Sequence, residues 1–283
     1  MKSVVITGVS TGIGHGTTRV LVDAGFHVFG SVRREADAAR LSKEFGDRFT
    51  PLLFDVTDEA AIADAATRVR ETLRGETLAG LVNNAGIALS GPLLEVGTDE
   101  FRQQLEVNVV GPFLVTKAFG PLLGADRSLR GAPGRVVNIS SIAGVRALPF
   151  LGPYAASKFA LEGYSEALRR ELLLFGIDVI VIGPGAVKTA IWDKAKEVDL
   201  SRYADSPYEP MLKGFQQAFI SQGHQGYPEE RLGQLVHTAL TATRPKVRYA
   251  PVKAPLLEKM LLRYAPRRVI DRVIGRKLGL LPK

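Results

Sequence analysis

Cysteine is absent from the 283 residues, which excludes disulfides and thiolate metal centres. No apolar run approaches the roughly 18 residues of a membrane span. Only Met1, Lys2 and Ser3 precede the first apolar run, so no secretory signal is expected. There is no Pro/Ser-rich linker and no internal repeat. Acidic residues are scarce in one place. From Arg244 to Lys283, twelve basic residues stand against two acids, Glu258 and Asp271, a segment charge of +10. The whole chain carries +8, which leaves −2 elsewhere. A nearly neutral body with a basic tail is not the charge pattern of a nucleic-acid-binding domain. No metal ion is expected, and the cytoplasm is the expected location.

What is present is enough apolar residue for a sizeable core, 46% of the chain. Val4–Ile6, His27–Val32, Arg48–Phe54, Leu78–Val82, Arg135–Ile139 and Asp178–Ile182 read as strands. Their nearly continuous apolarity suits a sheet covered on both faces. Helical patterns fall between them: Thr17–Ala24, Glu35–Phe45, Asp58–Leu73, Asp99–Phe119 and Pro153–Phe175. Asp58 suits an N-cap and Pro153 a first helical position. Repeated βα units predict an α/β fold, a doubly wound parallel sheet of about seven strands with helices on both faces. We expect one catalytic domain over residues 1–250 and a basic amphipathic extension over 251–283. Ile191–Tyr227, rich in Gly, Pro and Tyr, reads as an irregular substrate loop at the carboxyl edge, within 190–227. The extension carries two apolar stripes: Leu256, Leu257, Met260, Leu261 and Tyr264, then Val269, Ile270, Val273 and Ile274.

The first strand runs into TGVSTGIGHG, four glycines in nine positions. The strict dinucleotide fingerprint G-x-G-x-x-G fails, because Thr17 stands where its last glycine would be. Gly8, Gly12 and Gly14 give G-x-x-x-G-x-G instead. Such a turn permits close backbone approach and presents the free N–H groups of the next helix to a phosphate. A structural turn with no ligand is the less favoured alternative. Gly8, Ser10 and Gly12 also spell the G-x-S-x-G elbow of a hydrolase. His224 and His237 could formally complete a triad. No strand precedes the first to carry an oxyanion loop, so Ser10 is not expected to be a nucleophile. At the end of the second strand an acid would grip a ribose 2′-hydroxyl. Val32 stands there, followed by Arg33 and Arg34. An arginine forks onto a 2′-phosphate, which favours NADP over NAD. The same arginines could simply lie on a solvated loop.

YAASK sets Tyr154 and Lys158 four residues apart on one helix face. Tyrosine is a poor base near its ordinary pKa of about 10. An ammonium nearby favours the phenolate and makes a general acid/base for alcohol–carbonyl chemistry. In isolation the pair reads more readily as a surface pair. NISSIAG ends a predicted strand with Ser141, which can donate to a carbonyl oxygen or merely turn the chain. Asn108 sits inside a predicted helix, where asparagine is unfavourable.

Together, TGVSTGIG, NNAG (Asn83–Gly86), Asn108, Ser141, Tyr154-x-x-x-Lys158 and PGAVKT (Pro184–Thr189) resemble the short-chain dehydrogenase/reductase family over residues 1–190 or so. The resemblance implies a role for each residue. Tyr154 is the acid/base. Lys158 holds the ribose hydroxyls and lowers the tyrosine pKa. Ser141 positions the substrate oxygen, and Asn108 supports a water relay. Gly8, Ser10, Thr11, Gly12, Ile13 and Gly14 line the phosphates, with Ser10 and Arg33 on the 2′-phosphate. Asp55 and Val56 meet the adenine, and Asn83, Ala85 and Gly86 the ribose. Pro184, Gly185, Val187 and Thr189 hold the nicotinamide end. YAASKFALEGYSEALRREL and the tail are similar to the 17β-hydroxysteroid and retinol dehydrogenase branch.

The expected activity is NADP(H)-dependent interconversion of an alcohol and a ketone or aldehyde on an apolar, steroid-, retinoid- or lipid-like substrate. Phe150 and Trp192 are expected to contact it, in company with Leu151, Ile191, Phe215 and Phe219. A 3-oxoacyl-thioester reductase and a non-catalytic NADPH-binding scaffold are the alternatives. No nucleic acid is expected as a partner. A homodimer or homotetramer through the Asp99–Phe119 and Pro153–Phe175 helices is. The tail either touches an anionic membrane as a peripheral helix or covers the substrate cleft.

Overall fold

Strands that are apolar at consecutive positions need cover on both faces, and here they have it. The computed structural model describes residues 1–189, 200–252 and 266–282. In it β1 (Ser3–Ile6), β2 (His27–Val32), β3 (Phe49–Leu53), β4 (Gly80–Asn83), β5 (Arg135–Ile139), β6 (Asp178–Ile182) and β7 (Arg248–Tyr249) form one sheet. The order is β3-β2-β1-β4-β5-β6-β7, and every pair is parallel. Side chains alternate along each strand. Val4, Ile6, Val82 and Val137 enter the layer that holds Leu21, Leu41, Leu232 and Val236. Val5, Leu81, Val136 and Val179 enter the opposite layer with Ile62, Val69, Val115 and Phe119.

The helices are α1 (Gly12–Asp23), α2 (Glu35–Phe45), α3 (Glu59–Leu73), α4 (Thr98–Leu105), α5 (Gly111–Phe119), α6 (Gly152–Glu171), α7 (Glu209–His224), α8 (Glu229–Thr241) and α9 (Arg267–Leu278). Asp58 caps α3 as expected, accepting the Ala61 N–H at 3.0 Å. α1 starts at Gly12, five residues earlier than the expected Thr17, because the glycines of the turn also form the helix's first turn. Gly16 is a packing position. A Cβ there would lie 2.8 Å from the Glu229 carbonyl carbon, and one on Gly233 would lie 2.7 Å from the Gly16 oxygen. Glycine in both helices lets α1 and α8 approach backbone to backbone.

Two further expectations need correction. The single helix over Asp99–Phe119 is α4, a π-turn at Glu106–Val110, and α5. The stretch expected to be irregular contains α7, sixteen residues long, with Pro210 in its first turn, where proline is tolerated. Residues 190–199, including Ile191 and Trp192, lie outside the described residues, as do Leu256, Leu257, Met260, Leu261 and Tyr264. The second stripe, Val269 to Ile274, is on α9. Just beyond it, Leu280, like Leu278 on the helix, packs on a cluster of Phe150, Leu151, Tyr203, Leu212 and Phe215. Among the described residues no helix is long and apolar enough to cross a membrane.

From β1 the chain winds outward to β2 and β3; from β4 it winds the other way. Between the carboxyl ends of β1 and β4 the crossovers diverge and leave a crevice, where such sheets take ligands.

Candidate active site

The crevice floor is built by hydrogen bonds between the two strand ends. Thr7 Oγ1 accepts the N–H groups of Asn84 (2.9 Å) and Ala85 (3.0 Å). Asn84 Nδ2 donates back to the carbonyls of Thr7 (2.8 Å) and Gly8 (3.0 Å). Gly8 adopts φ +70°, and a Cβ on it would lie 2.9 Å from Ala85 Cα. A Cβ on Gly14 would lie 2.2 Å from the Gly8 oxygen. The turn therefore closes only with glycine at both places. Thr11, the N-cap of α1, makes no side-chain cap bond, so the helix's first N–H groups keep their capacity for an anion. These features fit a pyrophosphate.

Arg33 leaves the end of β2 with its side chain 71% exposed, 3.5 Å from Asp55. Burial works against the Asp55 charge, but hydrogen bonds from Thr57 and the Arg33 guanidinium hold its carboxyl below the usual range. Arg40 on α2 donates to the Ser10 carbonyl at 2.7 Å. Thirty residues separate these two, so the sequence carries no sign of the contact.

On α6, Tyr154 and Lys158 share a face, with the Lys158 Nζ 5.7 Å from the Tyr154 ring centroid. Lys158 is 6% exposed and donates to the Ile139 carbonyl at 2.9 Å. Burial pulls its ammonium down to about 8, with Glu162 opposing. Burial pushes the Tyr154 phenol above its usual range, and a hydrogen bond with Ser141 opposes that. The expected lowering of the tyrosine by lysine is thus outweighed, because both groups are taken out of water together. Ser141 caps a short 3₁₀ turn; its Oγ accepts the Ala143 N–H at 3.1 Å, which turns its own proton away from that amide.

Asn108 sits in the π-turn and is 1% exposed. Its amide accepts the Ile87 N–H and donates to the Ile87 carbonyl, both at 2.9 Å, and donates to Ser157 Oγ at 3.0 Å. Ser157 adjoins Lys158 on α6, so Asn108 ties the strand β4 exit to the helix bearing Tyr154 and Lys158. Its side chain is committed to backbone and serine. Gln104, which no motif in the sequence singles out, bonds the carbonyl of Ile87 (2.9 Å) and the N–H of Leu89 (2.7 Å).

One cleft of about 2560 Å³ joins these parts. That exceeds the roughly 300–1,000 Å³ of a single-ligand pocket and suits a dinucleotide plus a second molecule. Gly8, Ser10, Thr11, Gly12, Ile13, Arg33, Asp55, Val56, Ala85, Gly86, Ser141, Tyr154, Lys158, Pro184, Gly185, Val187 and Thr189 all line it. Gly14 and Asn108 lie behind its wall. Asn83 does too: its side chain turns into the sheet, donating to Thr116 (3.0 Å) and Asn138 (2.8 Å), and Asn84 takes its place on the wall. Phe150 is a second correction. It is 6% exposed and packs edge-on against Phe215 and Tyr208, while its neighbours Leu148 and Leu151 face the cleft. Leu212, Phe215 and Phe219 of α7 and Val269, Ile270, Val273 and Ile274 of α9 complete an apolar wall. Of the two expected sites for the tail, the part on α9 borders the cleft.

The sequence profile described as short chain dehydrogenase matches residues 2–199. The chain is 37% identical over 278 residues to an NADPH-dependent 3-dehydrocapnine reductase of Ornithobacterium rhinotracheale, covering 98% of each. It is 33% identical to estradiol 17-beta-dehydrogenase 2 of Mus musculus, over all of this chain and 76% of that one. A solved short-chain dehydrogenase from Streptomyces avermitilis superposes with a TM-score of 0.75 at 27% identity, covering 98% of this chain and 97% of the other.

Proposed function

This chain belongs to the short-chain dehydrogenase family of oxidoreductases, and from that premise we propose that it uses NADP(H) to reduce a ketone, or in reverse oxidise an alcohol, on an apolar substrate with a long hydrocarbon portion. The observation that carries the reading is the meeting of Ser141, Tyr154 and Lys158 where the nucleotide crevice opens into the apolar wall. When bound, the cofactor supplies or takes the hydride at its nicotinamide ring.

The chain's own residues do the rest. The Gly8–Gly14 turn and the α1 N-terminus hold the pyrophosphate. Arg33, whose exposed guanidinium lines the same cleft as Ser10, takes the 2′-phosphate, as suits a chain related to an NADPH-dependent reductase. Lys158 reaches the ribose hydroxyls. Ser141 donates its proton to the substrate oxygen and fixes its position. Tyr154, kept protonated by burial, gives its phenolic proton to that oxygen in the reducing direction. Leu151, Phe215, Phe219 and Ile274 exclude water from the reacting carbon.

A 3-oxoacyl-thioester reductase is the second reading; the apolar residues of α9 at the cleft favour a lipid- or steroid-like substrate instead. The test is NADPH oxidation with long-chain, steroid and retinoid carbonyls, in the wild type and in Tyr154→Phe. Turnover in the wild type that falls at least about a hundredfold in the variant supports the reading. Undiminished turnover in Tyr154→Phe overturns it.

A further inference from the structure

Behind the acid/base pair lies an ion pair that takes no part in the chemistry proposed for Tyr154 and Ser141. Glu162 follows Lys158 by one helical turn on α6. Arg248, 86 positions further on, reaches it from β7 with three bonds: Nε to Oε2 at 3.0 Å and to Oε1 at 3.2 Å, and Nη2 to Oε1 at 3.0 Å. The side chains are 17% and 26% exposed. The same Nη2 donates to the Ser141 carbonyl at 3.4 Å. One guanidinium thus touches the carboxylate beside Lys158 and the peptide that carries the Ser141 hydroxyl.

The surrounding backbone keeps room for this contact. A Cβ on Gly183 would lie 2.3 Å from Arg248 Nη2 and 2.9 Å from its Cζ. A Cβ on Gly144 would lie 3.0 Å from Glu162 Cγ. Exposed ion pairs are worth little, but a partly buried arginine that grips both carboxylate oxygens has fixed geometry and acts in a lower dielectric.

We propose that Arg248 and Glu162 are a positioning pair: together they set the electrostatic potential at Lys158, and Arg248 anchors the Ser141 peptide. The proposal rests on the acid/base reading of Tyr154 and Lys158. Among the described residues, few groups face Lys158. From α6 they are Tyr154 and Glu162, and from β7 Arg248 stands behind Glu162. From the β5 exit and the π-turn they are uncharged: the Ile139 carbonyl and Asn108. Glu162 stabilises the Lys158 ammonium. Arg248 cancels part of that carboxylate's field, so Lys158 releases its proton more readily than it would beside a lone glutamate.

The two partners therefore have opposite effects. Arg248→Met leaves the carboxylate uncompensated and holds protons on the Tyr154–Lys158 pair to higher pH. Glu162→Gln removes the negative charge and lets them go at lower pH. Two measurements read this. One is the alkaline limb of the NADPH-dependent reduction rate. The other, independent of turnover, is the ¹³Cε titration of Lys158 in cofactor-free protein, its resonance assigned by its loss in Lys158→Arg. Expected are shifts of opposite sign, each about half a pH unit or more, with Arg248→Lys returning most of the way to wild type. A purely structural staple would lower the rate in both variants and shift neither titration, or shift both the same way; either result overturns the proposal. Should Arg248→Met not fold, an unmoved Glu162→Gln titration overturns it alone. Turnover surviving Tyr154→Phe would instead sink the acid/base reading, while the lysine titration still reports on the pair.

Discussion

Lys158 places its ammonium 5.7 Å from the centre of the Tyr154 ring while itself only 6% exposed. A buried cation of this kind weakens the fold that holds it. Its proton leaves at about 8 in the folded chain against an ordinary 10.5. Below about pH 8 both folded and unfolded chains carry the proton, and the fold bears the full desolvation penalty. Between about 8 and 10.5 the unfolded chain binds more protons, so stability rises with pH there. Lys158→Met should therefore stabilise cofactor-free protein at pH 7 by about 1–3 kcal/mol, and by little near pH 10.5, while abolishing turnover. Urea unfolding at both pH values checks this; a variant less stable than wild type at pH 7 would show the account to be wrong.

Cofactor choice should follow Arg33, which lines the cleft with Ser10, and Arg40, which bonds the Ser10 carbonyl. A charge-assisted bond contributes about 1.5–3 kcal/mol, so Arg33→Ala should raise the KM for NADPH about tenfold to a hundredfold and leave NADH nearly unchanged. Arg40→Met should act the same way but less, since Arg40 holds the Ser10 carbonyl. Equal losses with both cofactors would mean that neither residue meets the 2′-phosphate.

Asp58 offers a purely structural measurement. Its carboxylate caps α3 through the Ala61 N–H. Asp58→Ala should lower unfolding free energy by about 1 kcal/mol with kcat unchanged. A loss of activity at constant stability would contradict this division of roles.

Phe113 on α5 and Phe159 on α6 are 47% and 46% exposed. Large aromatic rings left in water on the two helices expected at a subunit contact suit self-association through them. Phe113→Glu with Phe159→Glu should convert a dimer or tetramer to monomer in analytical ultracentrifugation. An unchanged sedimentation coefficient for a multimer would move the interface elsewhere.

The alternation of apolar runs and amphipathic stretches made the sheet legible, because each strand reports its own burial. The meeting of Gly8, Tyr154 and Lys158 at one cleft was legible for a similar reason: their motifs are spacings of a few residues. The misses depend on distance in the chain. Arg40 meets Ser10 across 30 positions and Arg248 meets Glu162 across 86. Phe150 looked like a cleft residue by its neighbours. Its backbone, at φ +66°, turns the ring into the cluster around Phe215 instead. α7 was hidden because Pro210 and Gly214 read as breakers; the proline sits in the first turn, and a Cβ on Gly214 would meet nothing within 4 Å, so neither opposes the helix.

The π-turn at Glu106–Val110 makes the middle of this long helical stretch sensitive to length. Each α-helical residue is rotated about 100° from its predecessor. Deleting one residue there to regularise the helix would turn the Val115 and Phe119 face of α5 away from the sheet, or pull Asn108 off Ile87. Engineering for heat resistance should therefore leave this joint irregular and look for gains elsewhere, in surface loops and helix ends.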